Sequence, residues 1–164
     1  MDEYIWIMEK SLTHVNASGE SRMVDVSEKK VSFRQASAKA VVLFPLNVLA
    51  QLKKDNCQVK KGAILEVARI AGIQGAKMTP SIIPLCHPLM LSGVEVDFSF
   101  EDDQLHIVSK VKCMGQTGVE MEALTAASTA ALTVYDMCKA LSHDIVISQI
   151  LLLSKSGGKD DYHV

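Results

Sequence analysis

The stretch from Thr117 to Asp144 carries helical periodicity for longer than any other part of the chain, so the remaining segments must pack around it. Met121, Leu124, Ser128, Ala131, Tyr135 and Cys138 recur at alternating spacings of three and four, the signature of one buried stripe. Glu122, Thr125, Thr129, Thr133 and Asp136 form a second stripe on a neighbouring face, with Lys139 at its edge. Thr117 followed by Glu120 is a capping-box pattern, which places the helix start at Thr117. Lysine and glutamate usually dominate a solvated face, and threonine is a poor helix former, so the second stripe points to function.

At 164 residues the chain has the length of one domain, residues 1–164, with enough material for a proper core. Residues 1–11 read as a loose N-terminal extension, with acidic residues where a secretory signal needs basic ones. Residues 156–164 are polar and glycine-rich and read as a mobile tail. A formal net charge of -2 argues against nucleic-acid binding, so an anionic ligand needs a local cluster of cations. No segment is apolar enough for a membrane span. Cys57, Cys86, Cys113 and Cys138 form no C-x-x-C pair, which fits a reduced cytoplasmic protein without a structural metal.

Residues 16–30 read as an irregular arm. From Val31 to Phe44 the alternation of Arg34, Ala36, Ala38, Ala40 and Val42 predicts a strand whose small residues admit a close neighbour. Pro45 then opens a short helix through Leu52, and a second helix spans roughly Ala63 to Met78, with Gly72, Gly75 and Ala76 leaving one side narrow. Thr79 to Pro88 holds three prolines and reads as a rigid loop carrying His87. Val94–Phe100 and Leu105–Cys113 form a hairpin about Asp102-Asp103. After the long helix, the apolar run Ile145–Leu153 reads as a strand covered on both faces. This order predicts an α+β fold, a ferredoxin-like sandwich with an antiparallel four-stranded sheet and helices packed on one face.

Several residues have a chemical reading beside a structural one. Glu120 is explained equally by capping and by function, whereas Glu122 escapes the cap. Asp136 and Lys139 are either a surface ion pair or an acid–base pair. His87 is either packed or positioned by its proline frame, and Cys86 reads as packing. Lys155-Ser156-Gly157-Gly158-Lys159 suits an anion, although its spacing is not that of a Walker A loop.

Long motifs in a fixed order resemble the cyclic pyranopterin monophosphate synthase family of molybdenum cofactor biosynthesis. They are Met-Val-Asp-Val-Ser at 23–27, Ile-Pro-Leu-Cys-His-Pro-Leu at 83–89, Thr-Gly-Val-Glu-Met-Glu-Ala-Leu-Thr-Ala-Ala at 117–127, Tyr-Asp-Met-Cys-Lys-Ala at 135–140 and Lys-Ser-Gly-Gly-Lys at 155–159. The resemblance implies a phosphorus–oxygen lyase that converts 3′,8-cyclo-7,8-dihydro-GTP to cyclic pyranopterin monophosphate with release of pyrophosphate. It implies a homo-oligomer, a hexamer built as a trimer of dimers, with active sites at dimer interfaces. Carried onto matching positions, the catalytic residues are Asp136, Lys139, Lys61, Glu120 and Glu122. The substrate-binding residues are Leu85, Cys86, His87, Met121, Lys155, Arg34 and Asp25. No cofactor is required by this reading, and magnesium on the substrate phosphates stays open. Lys60 is an alternative to Lys61, and Gln116 stands where the family often has a basic residue. The rival reading is a non-catalytic ferredoxin-like module that binds a small anion.

Overall fold

A computed structural model describes residues 14–16, 18–59 and 62–164. The expected N-terminal extension, residues 1–11, and both Lys60 and Lys61 lie outside the described residues. The elements are β1 (Ser32–Leu43), α1 (Leu46–Lys54), β2 (Gln58–Val59), β3 (Gly62–Ala63), α2 (Ile64–Ile82), β4 (Leu91–Glu101), β5 (Gln104–Gly115), α3 (Glu120–Cys138), β6 (Val146–Ser156) and β7 (Tyr162–His163). The main sheet has the order β4-β5-β1-β6-β7 and is antiparallel throughout. Its four long strands, counted along the chain, stand in the spatial order 4-1-3-2, the split β-α-β arrangement, so the fold is α+β and ferredoxin-like. The expected count of four strands becomes five because the C-terminus adds β7.

The small residues of β1 have a structural purpose. Ala36, Ala38, Ala40 and Val42 are fully buried, and the α3 residues Ala123, Ala126, Ala127, Ala130 and Ala131 are fully buried against the sheet. Methyl groups on both sides let the helix settle close to the strands. Buried Ser109 on β5 donates its hydroxyl to the Ala123 carbonyl at 2.7 Å, fixing the register of helix on sheet. On the other flank α2 closes on α3 through its glycines. A Cβ at Gly72 would stand 3.0 Å from the Ala126 carbonyl oxygen, and one at Gly75 would run into Thr129 Oγ1.

Four sequence expectations change in the helices. The α3 helix begins at Glu120 after an N-cap at Val119 with no side-chain cap hydrogen bond, so the Thr117–Glu120 capping box is not formed. It ends at Cys138, with Lys139 as C-cap, short of Asp144. The threonine stripe is a packing surface: Thr129 and Thr133 donate to the carbonyls four residues back at 2.8 and 2.7 Å, and Thr129 seats against Gly75. The α2 helix runs on to Ile82 through Pro80, so the expected loop starts later.

Strand β6 is covered on one face only, because α2 and α3 both lie on the same side of the sheet; Val146 is 50% exposed. The tail expected to be mobile folds back instead. Gly157 takes φ +83°, its N–H donates to Asp161 Oδ1 at 3.1 Å, and Tyr162 and His163 pair with Lys155 and Ser154. A Cβ at Gly157 would collide with the Phe33 carbonyl oxygen, so this turn requires glycine.

Candidate active site

The sheet register gathers one end of three strands. Ser32 stands opposite Gly115, and Ala36 opposite Lys155, so the start of β1, the end of β5 and the end of β6 lie side by side. The first turn of α3 follows β5 by a few residues and therefore stands over the same edge. The loop after α2 and the arm at residues 23–30 complete the walls of a pocket of about 830 Å³.

The pocket brings together Arg34, Leu85, Cys86, His87, Glu120, Met121, Glu122 and Lys155 from the sequence candidates. Its cations are Lys29, Lys30, Arg34, Lys155 and Lys159, joined by the imidazoles of His14 and His87, in a chain whose formal net charge is -2. His14, Lys29 and Lys30 were not among the sequence candidates. The only signal for the lysines was a dibasic pair beside the matched 23–27 motif, and an irregular arm gives no periodicity from which to aim a side chain.

Each group is held by identifiable partners. Arg34 donates from Nε to the Gly115 carbonyl at 3.2 Å and from Nη2 to the Gln116 carbonyl at 3.3 Å. A Cβ on Gly158 would lie 3.1 Å from Arg34 Nη1, so the glycine turn passes directly over the guanidinium. Lys155 Nζ pairs with Glu120 Oε1 at 3.2 Å. Glu120 is thus committed to an ion pair rather than to a helix cap. His87 Nε2–H donates to the Val24 carbonyl at 2.8 Å, which ties the proline-framed loop to the arm.

Glu122 differs from its neighbours. It is 3% exposed, and burial raises its pKa from 4.5 to about 7; its own backbone hydrogen bond works against the shift, and the Glu120 charge adds to it. A carboxyl poised there can both take and give a proton at neutral pH. Burial, followed by the Glu122 charge, also raises the Cys86 and Cys113 thiols. Cys86 therefore lines the pocket as a neutral thiol, which is neither a nucleophile nor a metal ligand in that form.

The remaining candidates lie elsewhere. Asp25 sits on the arm between the lining residues Val24 and Val26, exposed and outside the lining itself. Its Oδ1 accepts the Ser27 hydroxyl at 2.6 Å and the Ser27 N–H at 2.9 Å, and those bonds lower its pKa. Asp136 and Lys139 occupy the opposite end of α3, roughly 25 Å away at the helical rise of about 1.5 Å per residue. They pair at 2.7 Å, with side chains 56% and 50% exposed, and the hydrogen bond to Asp136 raises the Lys139 pKa. One chain does not bring that pair to the pocket. Among the described residues no group of three or more His, Cys, Asp or Glu side chains could hold a metal ion, and no helix is long and apolar enough to cross a membrane.

Comparison with known proteins matches most of the chain to one family. The model of the MoaC family matches residues 23–158. A protein named cyclic pyranopterin monophosphate synthase from Thermoanaerobacter sp. is 50% identical over 151 residues, covering 91% of this chain and 94% of that protein. One of the same name from Clostridium acetobutylicum is 47% identical over 154 residues, with 93% and 94% covered. Molybdenum cofactor biosynthesis protein 1 of Drosophila melanogaster is 55% identical over 153 residues, which are 92% of this chain and 27% of that protein. The matched span runs from the arm to the glycine turn and holds every lining residue except His14, Lys159 and Asp160.

Proposed function

The chain belongs to the MoaC family, and on that premise we propose that it acts in molybdenum cofactor biosynthesis as a phosphorus–oxygen lyase, converting 3′,8-cyclo-7,8-dihydro-GTP to cyclic pyranopterin monophosphate and pyrophosphate. The observation that carries this reading is a buried carboxyl, Glu122, with its pKa near 7, at the floor of a pocket ringed by cations. A triphosphate needs several converging positive charges, and Arg34, Lys29, Lys30, Lys155 and Lys159 surround the space, with the His87 imidazole among them. Lys155 is held in reserve by Glu120 and can exchange that carboxylate for a phosphate oxygen. Magnesium, where it takes part, arrives on the substrate phosphates.

Rebuilding the purine ring into a pterin needs successive proton transfers, and Glu122 and the Asp136–Lys139 pair are the groups for them. In the last step a ribose hydroxyl loses its proton to a carboxylate of the site or to solvent as its oxygen attacks the α-phosphorus. The new P–O bond closes the cyclic phosphate, the bond to the bridging oxygen breaks, and pyrophosphate leaves with the electron pair. The cations balance the charge on the departing group.

We further propose that each active site is shared between subunits, in a hexamer arranged as a trimer of dimers. Two features support this. The exposed Lys139 has its pKa pushed upward, whereas a lysine acting as base needs desolvation to bring it down, which a second chain can supply. The helix-free sheet face also presents Phe33, Met114 and Val146, which are 50%, 58% and 50% exposed and suit burial by a copy. The test is incubation with the cyclised nucleotide and assay of pyrophosphate and pterin. Binding without pyrophosphate release would instead assign the chain to the anion-binding class.

A further inference from the structure

The arm at residues 23–30 belongs to no helix or strand, yet it supplies four lining residues of the pocket, Val24, Val26, Lys29 and Lys30. Its internal bonds are short-range: Asp25 accepts from Ser27, and the Lys29 N–H donates to the Val26 carbonyl at 2.9 Å. Such turns shape the arm but cannot aim it. Side chains from the body of the protein must do so, and among the described residues two hydrogen-bond to it. One is His87, on the Val24 carbonyl at 2.8 Å. The other is Gln116, whose Nε2 donates to the Lys29 carbonyl at 2.9 Å, with the Ser27 carbonyl at 3.4 Å.

Gln116 is itself well anchored. It follows the end of β5, and its backbone carbonyl accepts from Arg34 Nη2 at 3.3 Å. A continuous line of hydrogen bonds thus runs from the Arg34 guanidinium through Gln116 to the backbone of Lys29. We propose that Gln116 is a positioning residue that clasps the arm over the pocket, so that Lys29 and Lys30 are held facing the phosphates of the bound nucleotide. This deepens, and rests on, the reading of the pocket as a nucleotide triphosphate site. The chemistry is specific to a donor at this position: a backbone carbonyl accepts from an amide or ammonium N–H and gains nothing from a side chain that lacks one. Both lysines are exposed, and among the described contacts the bond from Gln116 is the one that fixes the Lys29 carbonyl, next in the chain to Lys30.

The test uses the full chain with Gln116→Met, which keeps the length and removes the donor, and Gln116→Lys, which restores a donor of similar reach. Trypsin cleavage after Lys29 and Lys30, followed by mass spectrometry, reads the clasp independently of activity. Gln116→Met is expected to speed that cleavage on the order of tenfold, and Gln116→Lys to bring it back to the wild-type rate. In steady-state kinetics Gln116→Met should raise KM about tenfold with kcat within about twofold, and should add nothing further in a Lys29→Ala/Lys30→Ala background. Unchanged cleavage overturns the clasp. An equal KM increment in both backgrounds overturns its action through the lysines, because Gln116 would then touch substrate directly. Should the wild-type chain show no turnover, the reading of the site fails; affinity for inorganic triphosphate then replaces KM, and the same two outcomes decide the clasp.

Discussion

Glu122 is the residue on which pH acts most directly. Its carboxyl ionises near 4.5 in the unfolded chain and at about 7 in the native one, so between those values the native state binds more protons. Stability from this group is therefore fully present below about pH 4.5 and lost as pH rises through about 7. Glu122→Gln removes the buried charge. It is expected to stabilise the protein by up to about 3 kcal/mol at about pH 8, to change little at about pH 5, and to abolish most turnover. Denaturant titrations at the two pH values check the sign, and the kcat profile should lose its inflection near neutrality. Gly157 is the opposite kind of residue, fixed by shape. With φ at +83° and the Phe33 carbonyl where a Cβ would go, Gly157→Ala should release residues 157–164 to rapid hydrogen exchange and raise KM by weakening the Lys155 and Lys159 contacts.

At the scale of elements, the α2–α3 contact decides how α3 is presented. Glycine to alanine in a helix ordinarily gains about 1 kcal/mol. At Gly75 the sign should reverse, because the new methyl meets Thr129 Oγ1 and lies 2.8 Å from its Cβ, so the helices must part. Gly75→Ala is expected to destabilise by roughly 1–3 kcal/mol, measured by thermal or denaturant unfolding. The same contact explains the threonine stripe. Thr129 is the side chain that fits against Gly75, and the hydroxyls of Thr129 and Thr133 return to the helix backbone, which makes them tolerable at a helix contact despite low helix propensity. A periodic pattern shows that residues share a face; it does not show whether that face meets solvent, substrate or another helix.

For the whole molecule, the length of α3 is the constraint. Glu122 lies at its first turn and Lys139 at its C-cap, so a small reacting centre can use both only if two chains meet. Lys139→Ala is expected to abolish turnover with the fold intact. Mixing Lys139→Ala with Glu122→Gln subunits, after dissociation and reassembly, should return about a quarter of wild-type activity, since each mixed dimer regains one complete site. No recovery on mixing would mean that each chain works alone. Sedimentation of the wild-type protein checks the hexamer.

The sequence alone determined the strand and helix order, the alternating alanines of β1, the hairpin at Asp102-Asp103 and the motif residues around His87, Glu120 and Lys155. Those features are encoded in periodicity, turn chemistry and local motifs, which act over a few residues. The tertiary structure decided the rest. It turned Glu120 from a cap into the partner of Lys155, made the threonine stripe a helix contact, folded the tail into β7 and raised the Glu122 pKa. It also set Lys29 and Lys30 at the pocket rim while leaving Lys139 at the far end of its helix. Each of these outcomes depends on burial or on partners distant in the chain, and such long-range proximity exists only once the sheet register has formed.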